Sequence, residues 1–402
     1  MRDRYEDVVI IRYSEIAVKG PATRARMESL LASNLLDALS ECGCKGDVRV
    51  EPGRVLVWSP RPDPDSVARA ASRVFGVKSA SPAASTTFTE LDDLVEAALG
   101  WFSRRVAGKV FRVRARRTGS HPFTSKDVER ALGAALLEAG GAGVDLESPE
   151  YTAYVEIRGN RAFFYDRVIE GPGGLPLGSE DPILVLYSGG FDSTVTAWLL
   201  MRRGSPVVLA YYDLGHAGSL RVAVEAAVRL ATLWAHGHDL RFARVDFSWV
   251  AREVATLIRP EYRLLVLRRL MLEHASKLAP AVGAEALATG DSVGQVASQT
   301  VRNLRLIGSM LPLPVLRPVA GMDKDEVAKL AQRIGVYDIV ARQVEVCGRD
   351  AAPTPKADPE VFYSELARAK DRVDLDEARV AVASLRGRNP DDVIGELAAG
   401  QG

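Results

Sequence analysis

The chain has 402 residues, which suggests two to three domains at roughly 150 residues each. Apolar residues make up 47% and charged residues 26%, proportions that exclude a wholly disordered protein. Lys plus Arg number 52, as do Asp plus Glu, so the overall charge gives no argument for a nucleic-acid partner. Three cysteines are too few for a disulfide framework or a four-thiolate zinc site, and no apolar run approaches the ~18 residues of a membrane span. We therefore expect a soluble, cytoplasmic protein with no membrane partner and no metal-ligand cluster.

The first part of the chain has the pattern of two small α+β units. Apolar runs at 8–13 and 48–58 predict strands on either side of a helix at 24–39. After the proline-rich stretch near 60–64, the pattern predicts helices at 66–75, 91–106 and 125–139. It also predicts a strand at 110–115 and a hairpin at 152–165. We expect Thr124 or Ser125 to cap the third of these helices. The predicted domains are 1–62 and 63–168.

A stretch rich in Gly and Pro, GPGGLPLGSEDP at 171–182, separates these units from the rest of the chain, and we place a linker at 169–180. Beyond it, the short apolar runs ILVLY, VVLAYY and ALATG alternate with helical stretches. That alternation predicts a parallel sheet with helices on both faces, in a domain at 181–402. The pattern from about residue 357 to the end is helical and mildly acidic.

The strongest functional signal is the run SGGFDS, from Ser188 to Ser193, between the strand-like ILVLY and a helix-like stretch. Gly189 and Gly190 let the backbone turn tightly and approach an anion. The helix that follows offers free N–H groups and a partial positive charge, and the two serines add hydroxyl donors. The loop therefore predicts a phosphate or pyrophosphate site. It is not a Walker loop, because the Gly-x4-Gly-Lys spacing is absent.

SGGFDS resembles the PP-loop of the ATP pyrophosphatase superfamily, whose members cleave ATP between the α- and β-phosphates and adenylate an oxygen of the substrate. The resemblance implies that the loop stabilises the charge that grows on the leaving pyrophosphate. Asp192 would hold Mg²⁺ or orient the attacking group. The alternative is a carboxylate that is merely favoured in the first turn of a helix.

A second stretch, ATGDSVGQVASQT at 288–300, resembles a segment of the tRNA 4-thiouridine synthetases, also called tRNA sulfurtransferases. Other segments are similar to that family and occur in its order, namely IRYSEI with KG at 11–20, VEIR at 155–158, GGLPLG at 173–178 and GMDK at 321–324. The resemblance runs from about residue 8 to 356. It implies an α/β protein with an N-terminal ferredoxin-like α+β unit at 1–62, a THUMP α+β domain at 63–168 and a doubly wound parallel-sheet PP-loop domain.

The resemblance also implies an ATP site with ATP and Mg²⁺ as cofactors. Beyond the loop, the strand ends at Leu186, Tyr187, Tyr211 and Tyr212 would flank the adenine and ribose. Arg268 would reach the phosphates, and Gly290 and Gln299 would complete the site. The tyrosines would contribute main chain, so their side chains could belong to the core. Arg268 or its neighbour Arg269 could instead lie on a solvated face.

Thionation needs a sulfur nucleophile, and Cys347, in VCGRD followed by PTPK, is similar to the family's persulfide cysteine. In the implied chemistry, adenylation makes uracil O4 a leaving group, persulfide sulfur attacks C4 and AMP departs. The alternative is a structural cysteine. Many relatives carry a rhodanese domain with a second active cysteine, for which this chain is too short. An external sulfur donor, either a persulfide protein or sulfide, is therefore expected.

A local basic stretch predicts an RNA surface. Seven Lys or Arg lie between 104 and 117, and no acidic residue occurs between 101 and 126. Arg112, Arg114 and Arg116 would share one face of a strand, because side chains alternate along it. With Arg117 and Lys126 they form the predicted contact to the phosphate backbone of tRNA, which the THUMP resemblance implies. A solvated strand face is the alternative.

Two other functions stay open. The same fold could supply sulfur to the thiazole of thiamine, or the chain could be a noncatalytic tRNA-binding protein with a relict nucleotide site. The intact SGGFDS and Gln299 disfavour the relict. A homodimer is compatible with the family, and His216 has no assigned role.

Overall fold

A computed structural model describes residues 4–216, 218–343 and 353–400. Contacts within the chain divide it into an N-terminal unit, 1–173, and a C-terminal unit, 174–402. Among the described residues, no helix is both long and apolar enough to cross a membrane.

Within its described part, the N-terminal unit has one sheet of nine strands: β1 Glu6–Arg12, β2 Lys45–Glu51, β3 Arg54–Arg61, β4 Ser79–Thr87, β5 Val110–Thr118, β6 Gly143–Val144, β7 Tyr151–Arg158, β8 Arg161–Tyr165 and β9 Ile169–Glu170. Their order is β2-β3-β1-β4-β8-β7-β5-β6, with β9 beside β4. Pairs are antiparallel except those of β5, which runs parallel to β6 and β7. The β-branched run of β1 lies inside the sheet and is fully buried from Val8 to Ile11, as its composition predicts.

Four helices accompany this sheet: α1 Pro21–Glu41, α2 Pro64–Ala71, α3 Leu91–Val106 and α4 Ser125–Glu138. Aromatic and branched side chains of α3 and α4, including Phe102 and Leu132, form a core with Phe111, Val155 and Phe164 of the strands. Thr124 caps α4 in a reciprocal capping box with Asp127, so the predicted cap is confirmed. At the end of α1, the sulfur atoms of Cys42 and Cys44 are joined as a disulfide.

The strands of the C-terminal unit are β10 Ile183–Leu186, β11 Val207–Asp213, β12 Arg241–Asp246, β13 Ala286–Ala288, β14 Val315–Leu316 and β15 Val380–Ser384. Over the described residues they form one sheet in the order β14-β13-β10-β11-β12-β15. All neighbouring pairs are parallel except β12 with β15. The sheet is therefore parallel, as predicted, with an antiparallel edge strand.

The helices of this unit are α5 Phe191–Arg202, α6 Ser219–Trp234, α7 Ser248–Leu257, α8 Pro260–Leu278, α9 Val301–Gly308, α10 Lys324–Ile334, α11 Tyr337–Val340, α12 Pro359–Lys370 and α13 Pro390–Ala399. Helices α7, α8, α9 and α12 share one core with sheet residues such as Leu184, Val208 and Val245. Helices α5, α6, α10, α11 and α13 pack as a second group. This two-sided arrangement is the doubly wound fold that the alternating pattern predicts.

The C-terminal segment departs from its predicted all-helical pattern. Between α12 and α13 the chain forms β15, which adds to the edge of the sheet beside β12. In β15, Ala381 and Ala383 are buried while Val382 is exposed, so its alternation is carried by small residues. That weak pattern explains why the strand was not predicted.

Candidate active site

A cavity of about 960 Å³ opens at the C-terminal ends of β10, β11 and β13. Its place follows from the topology, because β11 and β13 lie on opposite sides of β10 and the strand order reverses there. Open parallel sheets bind ligands at such a switch point. Every residue predicted for the ATP site except Gly189 lines the cavity, namely Leu186, Tyr187, Ser188, Gly190, Asp192, Ser193, Tyr211, Tyr212, Arg268, Gly290 and Gln299.

The predicted phosphate loop lies between β10 and α5, and Gly190 is the N-cap of that helix. The Ser188 backbone N–H donates to the Ser193 hydroxyl over 3.2 Å, and that hydroxyl donates to the Gly190 carbonyl over 3.3 Å. The serine hydroxyls therefore hold the loop in shape as well as facing the cavity. Gly189 has a φ of +78°, and a Cβ there would lie 2.4 Å from the backbone of Ala223, so only glycine fits.

The start of α5 is held close to the end of β13. A Cβ on Gly290 would lie 2.8 Å from the backbone of Asp192 and of Ser193, so the missing side chain allows the two motifs to touch. The 288–300 stretch and the phosphate loop are therefore two walls of one cavity.

Asp192 offers a carboxylate to the cavity from the first turn of α5. The Gln295 amide donates to its Oδ2 over 3.3 Å. Mg²⁺ in nucleotide sites is usually held by one or two carboxylates together with substrate phosphates. The Asp192 carboxylate beside the phosphate loop fits that requirement.

Arg268 lies on α8 and reaches the cavity, whereas its neighbour Arg269 does not. Arg268 forms an ion pair with the buried Asp291, which also accepts from Thr289 Oγ1 over 2.7 Å and from Arg317 Nε over 3.3 Å. Burial alone would raise the pKa of Asp291, but Arg268, Thr289 and Arg317 together hold that pKa below its ordinary value. Arg269 pairs with Glu273 and donates to the carbonyls of Ile307 and Ser309 at the end of α9.

The tyrosine side chains at the strand ends belong to the core. Tyr187 accepts from Thr194 Oγ1 over 3.1 Å, and Tyr212 donates to the Met271 carbonyl over 3.0 Å. Burial raises the pKa of both phenols, which keeps them neutral. At Tyr187 and Tyr212, the groups that a ligand could contact are therefore those of the main chain, as the resemblance implies.

Gln299 differs from the tyrosines because its polar end is unused. In the described part of the chain its buried Oε1 has no hydrogen-bond partner. A buried acceptor without a partner is costly unless a ligand N–H supplies one. Its position in the cavity wall is consistent with such a contact.

Among the cavity residues with polar groups that the sequence did not assign to the site are His216, Lys324 and Gln343. Gln343 donates to the carbonyl of Ser188, in the phosphate loop, and to that of Ser219 over 3.4 Å. Lys324 is the first residue of α10, just after the capping Asp323. The partners of Gln343 lie far away in sequence, so no local pattern assigns it to the site. Lys324 belongs to the GMDK segment, but that segment alone does not indicate that Lys324 lines the cavity.

Cys347 lies outside the described residues, so its predicted role as sulfur carrier stays a prediction. The nearest described residues on either side, Gln343 and Pro353, both line the cavity.

The predicted RNA surface lies on β5 of the N-terminal unit. Arg112, Arg114 and Arg116 alternate with the buried Phe111 and Val113, so they share a face as expected. Arg112 donates to Thr152 Oγ1 over 3.0 Å and to the Leu146 carbonyl.

The other members of the predicted surface differ in their surroundings. Arg117 lies on the opposite face of β5 and bonds to Gly119 and His121. Lys126 is exposed in the first turn of α4. Arg114 and Arg116 are exposed, and their side chains have no hydrogen-bond or ion-pair partner among the described residues.

Comparisons with known proteins agree on one family. Three family models match in order: the ThiI ferredoxin-like domain at 8–81, the THUMP domain at 88–166 and the Thiamine biosynthesis protein (ThiI) at 178–375. A probable tRNA sulfurtransferase of Aeropyrum pernix is 59% identical over 366 residues, which cover 91% of this chain and 92% of that protein. The tRNA sulfurtransferase of Pyrobaculum aerophilum is 46% identical over 341 residues, covering 85% and 69%.

Solved structures agree with these relatives. The crystal structure of a 4-thiouridine synthetase–RNA complex with bound ATP matches with a TM-score of 0.77 at 26% identity, covering 94% of this chain and 99% of that one.

Proposed function

Because this chain belongs to the tRNA sulfurtransferase family, we propose that it is an ATP-dependent tRNA sulfurtransferase that adenylates a uridine and replaces O4 with sulfur. The product is 4-thiouridine, at position 8 by family resemblance. The observation that carries the proposal is the meeting of SGGFDS and ATGDSVGQVASQT at one cavity at the switch point of the sheet. The intact cavity weighs against a relict nucleotide site.

ATP occupies the cavity with its pyrophosphate end on the phosphate loop. The N-terminus of α5 and Arg268 lower the energy of the negative charge that develops as the bond between the α- and β-phosphates breaks. Asp192 would hold Mg²⁺, which when bound would supply further charge neutralisation on the phosphates. Gln299 and the main chain at Tyr187 and Tyr211 bind the nucleoside.

Sulfur transfer follows at C4 of the adenylated base. Cys347, loaded as a persulfide by a persulfide protein, attacks C4 with its terminal sulfur, and O4 leaves with AMP. A thiol then cleaves the S–S bond of the resulting adduct, which releases 4-thiouridine and leaves Cys347 in a disulfide with that thiol. The sulfur comes from an external donor: a persulfide protein loads Cys347, whereas sulfide as donor would attack C4 directly, without a persulfide on Cys347.

The RNA is held through the N-terminal unit, where Arg114 and Arg116 provide exposed cations for the phosphate backbone. Such contacts position the tRNA and do not read its sequence. Supply of sulfur to the thiamine thiazole is a second candidate, favoured by the description of the matching family model. The homodimer and the cytoplasmic location stay predictions.

Two substitutions separate the steps of the reaction. Asp192→Ala should abolish 4-thiouridine formation while tRNA binding persists, because it removes the Mg²⁺ ligand but leaves the N-terminal unit intact. Cys347→Ser should stop sulfur transfer but leave tRNA-dependent release of pyrophosphate. Nucleoside mass spectrometry, a pyrophosphate assay and tRNA binding provide the readouts, with the exposed Asp371→Ala as control. Full 4-thiouridine formation by Asp192→Ala would remove the basis of the proposal.

A further inference from the structure

A buried carboxylate in the cavity wall is shared by two arginines. Asp291 is 2% exposed, and its Oδ1 accepts from Arg268 Nη2 while its Oδ2 faces Arg317 Nε over 3.3 Å. Thr289 Oγ1 donates to the same Oδ2 over 2.7 Å. A carboxylate this deeply buried has to stay paired, because an isolated charge in such a place costs several kcal/mol.

The charges of this group do not cancel. Two guanidinium groups face one carboxylate, so the group carries one positive charge in excess. Arg268 lines the cavity, whereas Arg317 is not among the lining residues. The excess charge is therefore available on the cavity side, through Arg268.

The two arginines differ in what holds them. Arg317 follows β14. Among the described residues, its side chain makes, besides its contact with Asp291, only a long hydrogen bond from Nη1 to the Val315 carbonyl, 3.4 Å. Its buried Nη2 has no hydrogen-bond partner in the described ranges. The Arg317 guanidinium thus contributes little to holding the backbone in place, and its main contact is the Asp291 carboxylate.

We propose that Arg317 is a positioning residue that neutralises Asp291 and so leaves the charge of Arg268 available to the phosphates of the bound nucleotide. The inference rests on the proposed nucleotide-binding function of the cavity. Without Arg317, Asp291 has Arg268 as its only cationic partner, and a phosphate has to compete with a buried carboxylate for it. With Arg317 present, Arg268 can turn to the phosphate while Asp291 stays paired.

The net charge of Arg268, Asp291 and Arg317 provides a test in which a second substitution restores what the first removes. The group carries a net charge of +1 in the wild type, 0 in Arg317→Met, and +1 again in the double variant Arg317→Met with Asp291→Asn. We expect Arg317→Met to bind ATP about tenfold more weakly, since a unit charge near a protein surface is worth a few kcal/mol before screening. The double variant and Arg317→Lys should both bind within about threefold of the wild type, because a threefold change corresponds to only ~0.65 kcal/mol.

The experiment is calorimetric titration of the full chain with Mg²⁺ and α,β-methylene-ATP, which cannot be cleaved at the reacting bond. Arg252→Met removes one exposed cation from α7, outside the cavity lining, and serves as the control with unchanged affinity. Circular dichroism checks the folding of each variant.

Each outcome bears on the proposal. Unchanged affinity in Arg317→Met, or a double variant as weak as that single variant, overturns the positioning role. If Arg317→Met does not fold, a tenfold loss in Arg317→Lys or in the double variant overturns it equally. Absence of binding by the wild-type chain would instead contradict the proposed function itself.

Discussion

Lys324 is placed at the cavity by the start of α10. Asp323 accepts from the Glu326 backbone N–H over 2.8 Å, and Glu326 Oε2 accepts from the Asp323 N–H over 3.0 Å, a capping box that fixes the first turn. Lys324 is the next residue, and α10 packs against α5, the helix that follows the phosphate loop. Lys324 lines the cavity and so offers a second cation, besides Arg268, to the phosphates of the proposed nucleotide.

Replacing Lys324 tests whether that charge takes part in the chemistry. Lys324→Met should lower the rate of tRNA-dependent pyrophosphate release about a hundredfold, the usual effect of removing one group that stabilises transition-state charge. Binding of tRNA should not change. Lys329→Met removes the same charge from an exposed position of the same helix and should leave the rate within twofold. Equal effects of the two substitutions would contradict a role for Lys324 in the site.

The sequence predicts some residues of this site and not others, for a physical reason. Asp192, Gly290 and Gln299 lie in continuous motifs whose chemistry can be read locally. Gln343 and Arg317 act through partners distant in the chain, as when Gln343 donates to the carbonyl of Ser188. Only the fold brings such pairs together, and no spacing along the chain indicates it.

At the scale of elements, predictions succeed where periodicity is carried by large apolar side chains. The helix at 91–106, the helix that begins after Thr124 and the hairpin of β7 and β8 are confirmed. Strand β4, with the sequence SASPAASTT, was not predicted although it lies between β1 and β8. Its residues are small, and it contains Pro82, which opposes Val9 of β1.

Pro82 is tolerated in β4 because of the pairing around it. On the side away from β1, β4 pairs with β9 at 79–80 and with β8 from 84 to 87, so Pro82 falls in the gap. A proline has no N–H to donate, and such a gap needs none. The register of three strands decides this, which is why the sequence alone did not indicate a strand.

One carboxylate holds several strands of the N-terminal sheet together. Glu156 of β7 accepts from Arg54 of β3 over 2.6 Å, from Arg12 of β1 over 3.2 Å and from Arg158 over 3.2 Å. Burial alone would raise the pKa of Glu156, but Arg54, Arg12 and Arg158 together hold it below the ordinary value. Burial lowers the pKa of Arg54 to about 10, so this guanidinium stays charged at neutral pH.

Glu156→Gln should destabilise the N-terminal unit by about 3 kcal/mol at pH 7. It removes the shorter of the two ion pairs of the buried Arg54, which keeps only the 3.5 Å contact with Glu51, and it removes the carboxylate shared with Arg12 and Arg158. A carboxylate with a lowered pKa in the folded state stabilises fully above its unfolded pKa of about 4.3, and that contribution is lost as the pH falls towards the folded pKa. The difference between variant and wild type should therefore shrink below about pH 4. Amide hydrogen exchange in β7 and β8 at pH 7 and below pH 4 measures it.

The exposed Glu147→Gln is the control, and it should change exchange at neither pH. If Glu156→Gln speeds amide exchange in β7 and β8 equally at pH 7 and below pH 4, the ionised form of Glu156 is not what holds the strands together.

At the scale of the whole molecule, the two units carry different chemistry. The nucleotide cavity is built entirely from residues of the C-terminal unit, from Leu186 to Pro353. The exposed cations Arg114 and Arg116 belong to the N-terminal unit. This division follows from the order of the sequence patterns. The predicted domain limits at 62, 168 and 181 stay predictions, because amino-acid composition does not show where one packed core ends and the next begins.

The division predicts that RNA affinity and nucleotide affinity can be changed separately. Arg114→Ala combined with Arg116→Ala removes two contacts to phosphate, which should weaken tRNA binding and lower the slope of log K against log salt concentration by about 1.5. The affinity for α,β-methylene-ATP should stay the same. Fluorescence anisotropy with an unmodified tRNA transcript at several KCl concentrations measures the slope, and the exposed Arg130→Ala on α4 serves as control. A double variant with the salt slope of the wild type would show that these two arginines do not touch the phosphate backbone, however exposed they are.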